Sequence, residues 1–150
     1  MENQRKHDCM LMLIAQTEAI IQNLKDEENK YYTQYYRCKE AVSDVESLSV
    51  VQMYLSKSKS LENYMEIANK HSEQEIFDKI DALRNQIGKL RNDEIVISYL
   101  NGKKNLEELK LQCVEVTRLR RKYENDLKKY NKELFRYKRR IEQNDTEKFM

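Results

Sequence analysis

The chain has 150 residues, 36% charged and 39% hydrophobic, with three Phe, no Trp and a net charge of +2, which is too little apolar mass for an ordinary compact core. Zero Pro and two Gly remove the residues that build tight turns, and this excludes a β-rich fold. Disorder is the weaker reading, because apolar residues recur at helical spacing along most of the length.

In chain order, the spacing predicts a first helix over about 5–68. Its apolar seam runs through Leu13, Ile20, Leu24, Tyr31, Tyr35, Cys38, Val42 and Val45 and then, after slips, through Val51, Leu55, Leu61, Met65 and Ala68. Polar Thr17 and Glu27 stand where apolar residues are expected. The string 69–75 has no apolar residue, and Ser72 with Glu75 three positions later reads as a capping box. These features place a turn at about 69–73, within the region 68–75, and a second helix over about 74–144.

Ile76, Ile80, Leu83, Ile87 and Leu90 begin the seam of that second helix. Between Ile97 and Leu106 the seam loses its step, near Asn101-Gly102. The preferred reading is a register slip in a continuous helix, and the alternative is an extra break at 101–103. From Leu106 to Ile141 the stripe is regular: Leu106, Leu109, Cys113, Val116, Arg120, Tyr123, Leu127, Tyr130, Leu134, Tyr137 and Ile141, with Arg120 as its exception. So narrow a stripe suits a helix that packs along one line against another helix. Because the turn lies near the midpoint, the expected fold is all-α: one domain, 1–150, forming a long antiparallel two-helix coiled-coil hairpin.

Charge is unevenly placed. Residues 116–141 hold eleven Lys/Arg and three acids, a net of +8, so one end of the chain is strongly basic and suits an acidic partner. The seam continues through this basic stretch, so its cations read as one solvated face of a packed helix, and no nucleic acid is expected. Cys38 and Cys113 fall on seam positions, and Cys9 sits in an apolar cluster, so all three read as small hydrophobes of a reducing compartment. Met10–Ala15 is too short to cross a bilayer, and no direct membrane insertion is expected.

Catalytic vocabulary is nearly absent. Two Gly cannot build a phosphate loop, and His7-x-Cys9 lacks a second ligand pair at metal spacing. The expectation is a non-enzyme without cofactor or metal. The ten Tyr, including Tyr31, Tyr32, Tyr35 and Tyr36, serve either to thicken slender helices or to meet a partner.

Three stretches carry a family likeness. They are Glu18-Ala19-Ile20-Ile21 followed by Asp26-Glu27-Glu28, Asn69 through Phe77, and Tyr130-Asn131-Lys132-Glu133-Leu134-Phe135-Arg136-Tyr137-Lys138-Arg139. In order and spacing the chain resembles the FliJ/YscO/InvI (SctO) group of flagellar and type III secretion stalk proteins, closest to the InvI branch. The dense tyrosines and Asn101-Gly102 depart from that pattern.

The resemblance implies a cytoplasmic, non-catalytic stalk at the inner-membrane secretion apparatus. Such a stalk links the hexameric export ATPase to the export-gate protein, promotes ATPase activity and in some members binds export chaperones. Phe135, Arg136, Lys138, Arg139 and Arg140 are the candidates for the ATPase end, and Tyr54, Tyr64 and Phe77 for the gate side. The alternative is a structural coiled-coil subunit of a cytoskeletal, kinetochore or tethering complex.

Overall fold

A computed structural model of the chain describes residues 1–71 and 73–148. The fold is all-α, with no strand among the described residues. Four helices follow in order: α1 (Glu2–Glu46), α2 (Ser49–Lys70), α3 (Gln74–Leu90) and α4 (Glu94–Lys148). They divide into two compact units. One joins Met1–Thr33 to the chain from Lys110 onward, and the other is Gln34–Leu109.

The first expected helix, 5–68, is interrupted at Ser47-Leu48, and the second, 74–144, at 91–93. Both interruptions are built from local hydrogen bonds. Ser47 donates from Oγ to the Asp44 carbonyl at 2.7 Å, Leu48 is extended (φ −70°, ψ 143°), and Gln52 Nε2 donates to the Glu46 carbonyl at 2.7 Å. At the second break Asp93 Oδ1 accepts the amides of Ile95 (2.8 Å) and Val96 (3.4 Å), an N-cap worth about 1 kcal/mol. The slip after Val45 was visible in sequence. A continuous helix would carry the following apolar residues off the packed face, whereas ending it and restarting turns Val51 inward.

At the turn near the midpoint, α2 ends on His71, whose amide donates to the Ile67 carbonyl, and α3 begins after an extended Glu73. Ser72, half of the expected capping box, lies outside the described residues. Glu73, at the N-cap, makes no side-chain cap bond.

In the Gln34–Leu109 unit, α2 and α3 pack together with partners in opposite chain order: Lys57 meets Gln86 (2.7 Å) and Tyr64 lies under Lys79 (5.5 Å). Val42, Val51 and Tyr99 form one apolar cluster, and Tyr54, Ile87 and Val96 form a second. Val51 and Val96 are wholly buried, and each lies within three or four residues of a helix break.

Helix α4 passes through 101–103 without interruption, as the preferred reading expected. The seam there runs Val96, Tyr99, Gly102, Leu106, while Ile97, used to count the misfit, is exposed. Gly102 is a seam residue that hydropathy hides. Its Cα faces Val42 so closely that a Cβ would lie 2.9 Å from Val42 Cγ2, and its carbonyl accepts from Cys38 Sγ at 3.6 Å.

In the other unit the first seam is displaced from expectation. Thr17, Leu24 and Tyr31 are packed as expected, but Ile14 and Ile21 are buried and Glu28 is half-buried in place of Leu13, Ile20 and Glu27, and Leu13 and Ile20 stand exposed. Leu13-Ile14 and Ile20-Ile21 are both apolar pairs, so hydropathy alone cannot choose between their members. Met65, expected on the seam of α2, is also exposed, and Cys9 is exposed rather than packed.

The two glycines predict opposite responses to alanine. Gly88 has nothing within 4 Å of an added Cβ, so Gly88→Ala gains helix propensity and stabilises by about 0.5–1 kcal/mol. Gly102→Ala meets a stiff, buried valine, and overpacking of about 1–3 kcal/mol outweighs the same gain. Urea denaturation of both variants checks this: Gly102→Ala should unfold earlier than the parent and Gly88→Ala later.

Candidate protein-docking site

In the unit that holds both chain ends, α4 presents its seam inward. Cys113 and Val116 are buried, and Tyr123, Leu127, Tyr130, Leu134, Tyr137 and Ile141 are half-buried. Helical geometry then sends the intervening cations outward. Arg121, Lys122, Lys128, Lys129, Lys132, Arg136, Lys138, Arg139 and Arg140 are all exposed, and no carboxylate among the described residues pairs with them. Phe135 is 61% exposed among them.

Local contacts order this surface. The Arg139 guanidinium stacks over the Phe135 ring at 5.9 Å and Arg140 over Tyr137 at 5.7 Å. Asn131, Lys132, Phe135, Arg136 and Arg139 line a shallow open hollow, and Glu133, Arg136, Tyr137 and Arg140 line a smaller one beside it. Four of the five residues expected at the ATPase end therefore meet at these two hollows. Lys138 is exposed but lines neither.

Arg120 holds the register of this unit. Its Nε donates to Glu28 Oε2 at 2.6 Å and its Nη1 to Glu124 Oε1 at 2.9 Å, with the Arg120 and Glu28 side chains each about one-fifth exposed. One turn away along α1, Tyr32 Oη lies 3.3 Å from Thr117 Oγ1. Position rises on α1 as it falls on α4, so the two segments run antiparallel here. The hydrogen bonds from Arg120 to Glu28 and Glu124 hold its proton more tightly than usual. Buried Thr17 satisfies its hydroxyl by donating to the Leu13 carbonyl at 2.8 Å.

On the gate side the expected residues separate. Tyr54 is buried against Ile87 and Val96, so it offers no surface, because it fills the core beside the two helix breaks. Tyr64 is half-buried beneath Lys79, and Phe77 is 42% exposed. Sequence reasoning missed Met53 and Ile67 as exposed apolar residues of α2. Only the phase of the seam after the break at Ser47-Leu48 could have revealed them.

Among the described residues no group of three or more His, Cys, Asp or Glu could hold a metal, and no helix is long and apolar enough to cross a membrane. No family model matches the chain, and neither a curated protein nor a solved structure matches it.

The Arg120 cluster predicts a non-additive pair of substitutions. Arg120→Leu leaves Glu28 facing an apolar seam without its partner and should cost about 1–2 kcal/mol, discounted for partial exposure. Adding Glu28→Leu should restore or exceed parental stability, because the seam then becomes uniformly apolar. A double-mutant cycle by denaturation reads the coupling, and strict additivity would refute this account.

Cys113 gives a pH prediction. Burial, reinforced by the charge of Glu28, raises its thiol above the ordinary 9.0. Such a thiol ionises more readily unfolded than folded, so its contribution to stability is whole below pH 9.0 and falls as pH rises beyond it. At pH 8 iodoacetamide should alkylate exposed Cys9 quickly and Cys113 only through opening of the fold, as peptide mass spectrometry would show.

Proposed function

We propose that the chain is a non-catalytic stalk of a type III protein secretion system. In this reading it is an antiparallel coiled-coil hairpin whose two arms are each broken once, cytoplasmic, at the face of the inner-membrane apparatus. Its basic end engages the hexameric export ATPase and promotes its activity. The region around α2 and α3 reaches the export gate, through Phe77 and Tyr64 rather than Tyr54, and export chaperones are further partners.

One observation carries the reading. The unit formed by Met1–Thr33 and the chain from Lys110 onward holds nine exposed cations that no carboxylate among the described residues pairs, together with a solvent-facing Phe135. An acidic ring would attract that surface from a distance and orient it, since charge complementarity chiefly sets encounter rate and register. A structural subunit built as a parallel dimer fits less well with the opposed order of the Glu28–Arg120 and Tyr32–Thr117 contacts.

Mixing the chain with a purified hexameric export ATPase tests the reading. The expected result is a complex on gel filtration and faster phosphate release. The combined variant Arg136→Glu, Lys138→Glu, Arg139→Glu, Arg140→Glu should lose both effects while keeping its helical circular dichroism. Absence of a complex and an unchanged rate with the parental chain would refute the proposal.

A further inference from the structure

The side of α4 turned away from its seam carries a second line of residues. In heptad terms the seam occupies positions a and d, and this line occupies b and f, directly opposite. It begins with Leu111 and Val114, 71% and 59% exposed, and near its far end holds Phe135, 61% exposed. Between and beyond these apolar points lie Arg118, Arg121, Lys128, Lys132 and Arg139, all exposed. No acid falls on the line. Glu124, Asp126 and Glu133 flank the seam instead, while Glu115, beside the line, pairs with Arg118 at 2.6 Å and leaves Arg121, Lys128, Lys132 and Arg139 as the cations of the line that no described carboxylate pairs.

We propose that this outward stripe, from Leu111 to Arg139, is a docking track for one acidic α-helix of a partner protein. At 1.5 Å per residue the track is about 42 Å long. Its three-and-four spacing matches the single line along which a helix is contacted by another helix. Apolar residues toward both ends would anchor the visitor, and the cations between them would select acidic side chains and set its register.

Other occupants fit less well. Phosphate backbones have no use for Leu111 and Val114, which extend the same line beyond the cations. A lipid surface demands a broad apolar face, and the apolar face of α4 is already turned toward α1 in this unit. A second copy of the chain lacks the charge: the corresponding outward positions of α1 are Met12, Ala15, Ala19, Gln22, Asp26 and Asn29, with one acid among them.

The track shares Phe135 and Arg139 with the ATPase-facing set but does not rest on the secretion reading, and its test contains no ATPase. The probe is a fluorescein-labelled, side-chain-stapled 28-residue helix with Glu at three-and-four spacing and Leu near both ends. It is titrated into the full chain beside a peptide of the same composition in scrambled order. Duplex DNA and phosphatidylserine vesicles are run in parallel.

The patterned helix should bind about tenfold more tightly than the scrambled one, and the triple variant Arg121→Glu, Lys128→Glu, Lys132→Glu should weaken it by about tenfold or more. Phe135→Ala should weaken it several-fold while leaving the salt dependence unchanged. A probe with Lys in place of Glu should recover binding to the triple variant. Equal affinity for the scrambled peptide, or tighter binding of DNA or vesicles than of the patterned helix, would overturn the proposal.

Discussion

A guanidinium set into an apolar seam governs the unit formed by the two ends of the chain. Arg120 occupies a position where its neighbours on the stripe, Val116 and Tyr123, are apolar, and it reaches Glu28 and Glu124 together. A seam of apolar residues at regular spacing is nearly degenerate to sliding by one heptad, because each residue finds an equivalent hole one repeat away. A charge that must meet its partner lifts that degeneracy, since any other register would leave Glu28 or Arg120 against hydrocarbon. The pair therefore serves specificity more than stability. The same constraint selects Ile14 and Ile21 over Leu13 and Ile20, because those residues share the face that carries Glu28.

The Gln34–Leu109 unit solves a different problem. Here the seams of both arms change phase, and helices of constant pitch cannot follow such a change. The chain breaks at Ser47-Leu48 and at 91–93, and it invests its only wholly buried large side chains among the described residues, Val51 and Val96, beside the breaks. Tyr54 and Tyr99 enter the same clusters, and burial raises the Tyr99 phenol above its ordinary value, with Glu46 and Tyr54 adding to the shift. Gly102 completes the packing by omission: its missing side chain is the space that Val42 fills. Two breaks and one glycine thus convert an interrupted pattern into the most fully buried part of the molecule.

The same narrow packing leaves the outside of α4 free. A helix that uses one narrow face for packing leaves most of its surface for solvent, and on that surface α4 carries nine cations that no carboxylate among the described residues pairs, beside the paired Arg118. Phe135, Leu111 and Val114 stand in that surface without a core to enter. Exposed apolar residues in line with cations are the basis of the docking proposed above.

Much of this was legible in the amino-acid order, and the limit has a physical cause. Periodicity and the lack of proline determined that the chain is helical, and the α4 seam from Leu106 to Ile141 reappears in burial position by position, Arg120 included. A run without apolar residues placed the turn at about 69–73, and α2 carries its helix two residues into that run, through Lys70. Asn92-Asp93 carries a helix-start signal, but Leu90 and Ile97 are one heptad apart, so hydropathy gives no sign of the break there.

Tertiary structure alone decided three matters: which of two adjacent apolar residues faces the partner helix, that Gly102 belongs to the seam, and that Tyr54 is core rather than surface. Each depends on what stands opposite, Arg120 for the α1 register, Val42 for the glycine, and Ile87 with Val96 for the tyrosine. Hydropathy along one strand of sequence records how apolar a residue is, and carries no record of the shape or charge it will meet.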